Sequence, residues 1–107
     1  MKITVIIPTY NEAENLPKLV SALFALPLDL NILIVDDNSP DGTGRIADGL
    51  VKSHPGRITT LHRVGKLGLS TAYLQGFDLL FKTDADAIAQ IDCDFFSIDC
   101  HILLAIQ

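Results

Sequence analysis

Branched apolar residues arrive in short unbroken runs, and polar, turn-forming residues separate them. Ile3 to Ile7 (ITVII) and Ile32 to Val35 (ILIV) show no alternation, as expected of strands buried on both faces of a parallel sheet. Proline cannot donate to a ladder, so Pro8 is expected to end the first strand, and Thr9 to Glu12 form a loop. Leu16, Leu19, Val20, Leu23 and Phe24 then recur at helical spacing along one stripe. Pro17 is tolerable only in a first turn, which starts this helix near Asn15, and Pro27 closes it. The second strand runs from Ile32 to Asp36. Asn38, Ser39, Pro40, Asp41 and Gly42 follow as turn formers, with Asp41 or Thr43 placed to cap the next helix. Ile46, Ala47, Leu50 and Val51 mark that helix, which stops before Pro55-Gly56.

Ile58 to Leu61 reads as a third strand, and Val64 to Gly68 as a glycine-punctuated loop. Thr71 to Lys82 reads as a third helix, in which Gly76 marks a close contact. Ala87 to Ile91 is a fourth strand, ending at Asp92-Cys93-Asp94, and the piece from about Asp99 to Gln107 reads as a helix cut short. Strand and helix alternate, so the fold class is α/β: a parallel sheet ordered 3-2-1-4 with helices on both faces.

The 107 residues suit one domain, and a hydrophobic share of 49% supports a packed core. The net charge of −5 argues against a nucleic-acid footprint, and any anionic ligand must be held by local groups or a metal. Cys93 and Cys100 lack a metal-finger or CxxC spacing, which makes a reduced, cytosolic compartment the default. No apolar run reaches the roughly 18–20 residues a membrane helix needs. In a sheet ordered 3-2-1-4, Tyr10-Asn11-Glu12, Asp36-Asp37 and Asp92/Asp94 fall at strand ends along one crevice, where open α/β sheets bind ligands. Asp92-x-Asp94 suits a hard divalent ion and phosphate oxygens. Asp84-x-Asp86 precedes its strand and reads as a solvated loop. His54, His62 and His101 have no partners at ligand spacing.

These segments carry a resemblance. Ile6 to Asn15 (IIPTYNEAEN) followed by Val35 to Thr43 (VDDNSPDGT) resembles glycosyltransferase family 2. Arg63 to Tyr73 with Gly76-Phe77, and then Gln90 to Asp94 (QIDCD), resemble its polyprenyl/dolichyl-phosphate mannose synthase branch. The match covers residues 3 to 95, the N-terminal donor-binding half, and 96–107 form a divergent tail. It implies a three-layer, Rossmann-like GT-A fold for nucleotide-diphospho-sugars, here truncated. Glu12 and the backbone from Pro8 to Tyr10 would border the base or ribose, and Asp37 would accept a hydrogen bond from the base. Lys66 would lie near the diphosphate. Asp92 and Asp94 would hold ribose, diphosphate and a Mg²⁺ or Mn²⁺ ion, and stand as the catalytic pair.

The implied reaction is inverting transfer of mannose from GDP-mannose to a polyprenyl or dolichyl phosphate, at the cytoplasmic face of a membrane. From Phe96 the text leaves the family's pattern abruptly, which reads as a reading-frame slip. A non-catalytic nucleotide-sugar-binding remnant is therefore the alternative. Its fourth strand would become an exposed edge inviting self-association. A haloacid-dehalogenase-type phosphatase would need lysine and acid motifs further along than the 13 residues after Asp94 allow. A phosphoryl receiver would need its acid pair after the first strand, where Tyr10-Asn11-Glu12 stands.

Overall fold

The computed structural model describes residues 2–63, 87–91 and 103–106. Its elements are β1 (Lys2–Thr9), α1 (Asn15–Phe24), β2 (Asp29–Asp36), α2 (Thr43–Ser53), β3 (Ile58–His62), β4 (Ala87–Gln90) and β5 (Leu103–Ile106). They build one five-stranded sheet ordered β3-β2-β1-β4-β5. The first four strands are parallel in the expected order, with Ile7 opposite Ile34 and Ile6 opposite Gln90.

The apolar runs form strands because both of their faces are buried. Val5, Ile7, Leu30, Ile32 and Ile34 face Leu16, Leu19, Val20 and Leu23 of α1 and Ala47 of α2. Ile6, Leu33, Val35 and Ile88 make a second cluster, with Leu61 packed against it. Alternate residues of β1 and β2 thus serve opposite faces of the sheet. α1 starts at Asn15, which keeps Pro17 in the first turn. The helix expected over 71–82 lies outside the described residues.

Three expectations change. Pro8 does not end β1, which continues through Pro8 and Thr9. Thr9 O accepts from Asp37 N–H at 3.0 Å on the β2 side, and Ile6 O accepts from Ile91 N–H at 3.1 Å on the β4 side. Backbone groups in a parallel strand alternate sides, so the N–H that Pro8 lacks would point towards β4, beyond the last register pair, Ile6 with Gln90. The proline removes no bond to β2. Second, residues 103–106 are a strand, not part of a helix. Third, β5 pairs antiparallel with β4, Ala87 opposite Ile106 and Gln90 opposite Leu103, so β4 is not the exposed edge expected to drive self-association.

Candidate functional site

β1 and β2 end side by side, with Thr9 in register with Asp36, and each chain then makes the same turn. Two residues on, Asn11 (φ 56°) and Asn38 (φ 54°) both take the left-handed conformation that asparagine tolerates better than most residues. The two adjacent aspartates between them have separate roles. Asp36 is 1% exposed, and its carboxylate accepts from the Thr9 hydroxyl at 2.7 Å, the Ser39 hydroxyl at 2.6 Å and Ser39 N–H at 3.1 Å. A Cβ on Gly44, in the first turn of α2, would stand 3.2 Å from Asp36 Oδ2, so glycine lets the helix approach this carboxylate closely. Asp37 turns to Arg63, whose Nε and terminal nitrogen donate to its two oxygens at 2.5 and 2.8 Å. The pair is buried, and the fork geometry fixes both partners. Arg63 is itself tied to β2 through its N–H on Asp36 O at 2.8 Å.

Glu12 is buried. Its backbone N–H donates to the Thr43 hydroxyl at 3.0 Å, and its side chain accepts from Asn15 Nδ2 at 3.1 Å. On either side, Asn11 N–H donates to the Ser39 hydroxyl at 3.0 Å and Ala13 N–H to Asp41 Oδ2 at 3.2 Å. Neither Asp41 nor Thr43 is the N-cap expected of α2: that place falls to Gly42, with no side-chain cap bond, while Asp41 Oδ1 accepts Thr43 N–H at 3.0 Å and the Thr43 hydroxyl at the helix's first residue. The Thr43 hydroxyl bond is the chief cause holding the Asp41 carboxyl below the usual carboxylate range. Gly42, between them, has φ +91°, a conformation a side chain would strain.

Of the residues expected to bind a nucleotide-sugar, Pro8, Tyr10, Glu12 and Asp37 therefore gather at the neighbouring ends of β1 and β2. Pro8 is buried and Tyr10 half-buried. Lys66, Asp92 and Asp94 lie outside the described residues, which end on that side at Ile91, whose N–H donates to Ile6 O of β1. The metal expectation rests on those two aspartates. Asp36 and Asp37 already meet protein donors, and among the described residues no group of three or more His, Cys, Asp or Glu side chains could hold a metal. Sequence reasoning assigned no role to Thr9, Ser39 or Arg63. The one signal for Arg63 was its place in a stretch resembling the family.

On the outer side of the Asp36 loop, an open cleft of about 330 Å³ is bordered by Ser39, Gly44, Arg45, Asp48 and His62. His62 Nε2 lies 2.8 Å from Asp48 Oδ1, with both side chains about half exposed.

Residues 4–102 match the family model for glycosyl transferase family 2. The chain belongs to that family. It is 47% identical over 90 residues to the polyprenol monophosphomannose synthase of Mycolicibacterium smegmatis, covering 84% of this chain and 34% of that protein. It is 40% identical over 96 residues to the dolichol-phosphate mannosyltransferase of Pyrococcus furiosus, covering 88% of this chain and 26% of that one. The chain thus spans about a third or less of these curated relatives. Among solved structures it is similar to the mannosyltransferase PcManGT from Pyrobaculum calidifontis in complex with GDP-Man and Mn²⁺. The TM-score is 0.75 at 24% identity, over 86% of this chain and 27% of that one. GalNAc-T7 with UDP, GalNAc and Mn²⁺ gives a TM-score of 0.75 at 19% identity, over 87% of this chain and 18% of that one. The fold is GT-A, with the sheet order read from the sequence. Among the described residues no helix is long and apolar enough to cross a membrane.

Proposed function

We propose that this chain carries the donor-binding part of a glycosyltransferase that moves mannose from GDP-mannose to a polyprenyl or dolichyl phosphate with inversion. The observation that carries the reading is the 47% identity over 90 residues to a polyprenol monophosphomannose synthase. Glu12 and the backbone from Pro8 to Tyr10 border the nucleoside, and Asp37, held in place by Arg63, accepts a hydrogen bond from the base. Lys66 neutralises part of the diphosphate charge. Asp92 and Asp94 hold Mg²⁺ or Mn²⁺, which supplies charge stabilisation for the departing diphosphate. The acceptor phosphate is already an anion, so the chain needs no strong general base. A lipid acceptor brings the site to a membrane surface, at its cytoplasmic face.

Calorimetric titration with GDP in the presence of Mn²⁺ tests the reading. Binding is expected, and it is lost in Asp94→Ala and on chelation. Binding indifferent to both would sink the metal assignment, and a clear preference for UDP over GDP would sink the donor. Transfer of labelled mannose to a polyprenyl phosphate tests the acceptor.

A further inference from the structure

Three consecutive backbone amides, those of Asn11, Glu12 and Ala13, donate not to backbone carbonyls but to side chains of the β2–α2 loop. Two of the three bonds are relays. A hydroxyl has one proton to give. Ser39 accepts from Asn11 N–H, so its proton goes to Asp36; Thr43 accepts from Glu12 N–H, so its proton goes to Asp41. The third amide, Ala13 N–H, reaches Asp41 directly. Each bond therefore ends on a carboxylate, which strengthens it relative to a neutral pair. The amides are 28, 31 and 28 residues from their partners, so local helix or turn formation does not account for them.

We infer that Ser39 and Asp41 are positioning residues for nucleoside diphosphate binding. They hold the Tyr10–Ala13 loop in its binding conformation without touching the ligand themselves. The inference rests on the donor-site reading above. Core packing is a poor alternative reason for these residues. Asp41 is exposed and Ser39 only half-buried, so neither fills the interior. Bonding Thr43 at the start of α2 explains only the Oδ1 half of Asp41, because Oδ2 serves the other loop. Among the described residues, Ser39 bonds no helix N–H; its hydrogen bonds are with Asp36 and Asn11.

The chemistry of the two side chains separates positioning from stability. Asp41→Asn retains one oxygen for Thr43 but turns an NH₂ towards Ala13 N–H, removing the latch while keeping an acceptor for Thr43 at the start of α2. Ser39→Ala breaks the relay to Asn11, and Ser39→Thr restores a hydroxyl. The experiment measures GDP affinity with Mn²⁺, single-residue amide exchange at positions 11–13, and thermal melting, on the intact chain. Ser39→Ala and Asp41→Asn are expected to weaken GDP roughly three- to tenfold each. Exchange should accelerate at Asn11 in the first and at Ala13 in the second, melting should shift little, and Ser39→Thr should recover affinity. Faster exchange with affinity within twofold of wild type would overturn the positioning role. Unprotected amides at 11–13 in the wild type would overturn the latch itself. Protected amides in a wild-type chain that binds no GDP would instead overturn the donor reading beneath it. Should Asp41→Asn fail to fold, the Ser39 pair carries the test alone.

Discussion

The two ends of the sheet are built on different rules. At the amino ends of the strands, the 25–28 and 54–57 connections close mainly through backbone bonds. Leu26 N–H reaches Leu23 O, Leu28 N–H reaches Leu26 O, and Arg57 N–H reaches His54 O. Their side chains mostly provide cover: Arg57 lies 4.4 Å above the Phe24 ring and also donates to Leu30 O at 2.8 Å, His54 packs 4.9 Å from the same ring, and Leu26 and Leu28 stay exposed. At the carboxyl ends, the 10–14 and 37–42 loops are tied by Thr9, Ser39, Asp41, Thr43 and the buried Asp36. A turn closed by its own backbone tolerates many sequences. A turn closed by side chains of another turn demands particular ones, and it holds a shape that a ligand can use.

The comparison can be broken most directly at Asp37. Asp37→Ala removes the carboxylate that the buried Arg63 guanidinium, its side chain 3% exposed, grips in a fork. The expected loss is about 3–5 kcal/mol in urea denaturation, and a loss under about 1 kcal/mol would show that the buried fork is not a structural demand. A smaller effect belongs to acid. The Asp41 carboxyl is held below its ordinary range, chiefly by Thr43, so its stabilisation is complete above that range and fades as pH falls through it. Wild-type melting temperature should therefore fall more steeply than that of Asp41→Asn between about pH 5 and pH 3. Parallel curves would remove Asp41 from the acid-sensitive set. The smallest effect is expected at the other end. Leu28, 51% exposed, should accept serine with a change within about 0.5 kcal/mol in the same denaturation experiment.

Much of the frame was legible because it rests on local patterns. The ITVII and ILIV runs, the Leu16-to-Phe24 stripe and the position of Pro17 each report a nearby constraint, and the structure matches them. β2 begins at Asp29, ahead of the apolar run, because Asp29, Leu30 and Asn31 already pair with Lys2, Ile3 and Thr4. Such pairing belongs to a partner strand, and nothing in the three residues announces it. Pro8 misled for a related reason: whether a missing donor matters depends on which neighbour it faces. In the site, the paired aspartates were visible as chemistry, but their division of labour was not. Arg63 meets Asp37 across 26 residues, and Thr9 meets Asp36 across 27. A sequence read along its length does not reveal distances of that kind.

The placement of β1 between β2 and β4 also sets an order of events during synthesis. β2 emerges soon after β1 and covers one of its sides, but the other side pairs with residues 87–90. At about 5–20 residues per second, a ribosome needs roughly 4–16 seconds to travel from the end of β1 to β4. Through that interval β1 keeps an open ladder on its β4 side, a docking edge for another nascent chain or a chaperone. The strand that carries Pro8 and Thr9 to the site thus waits for β4 before both its sides are paired.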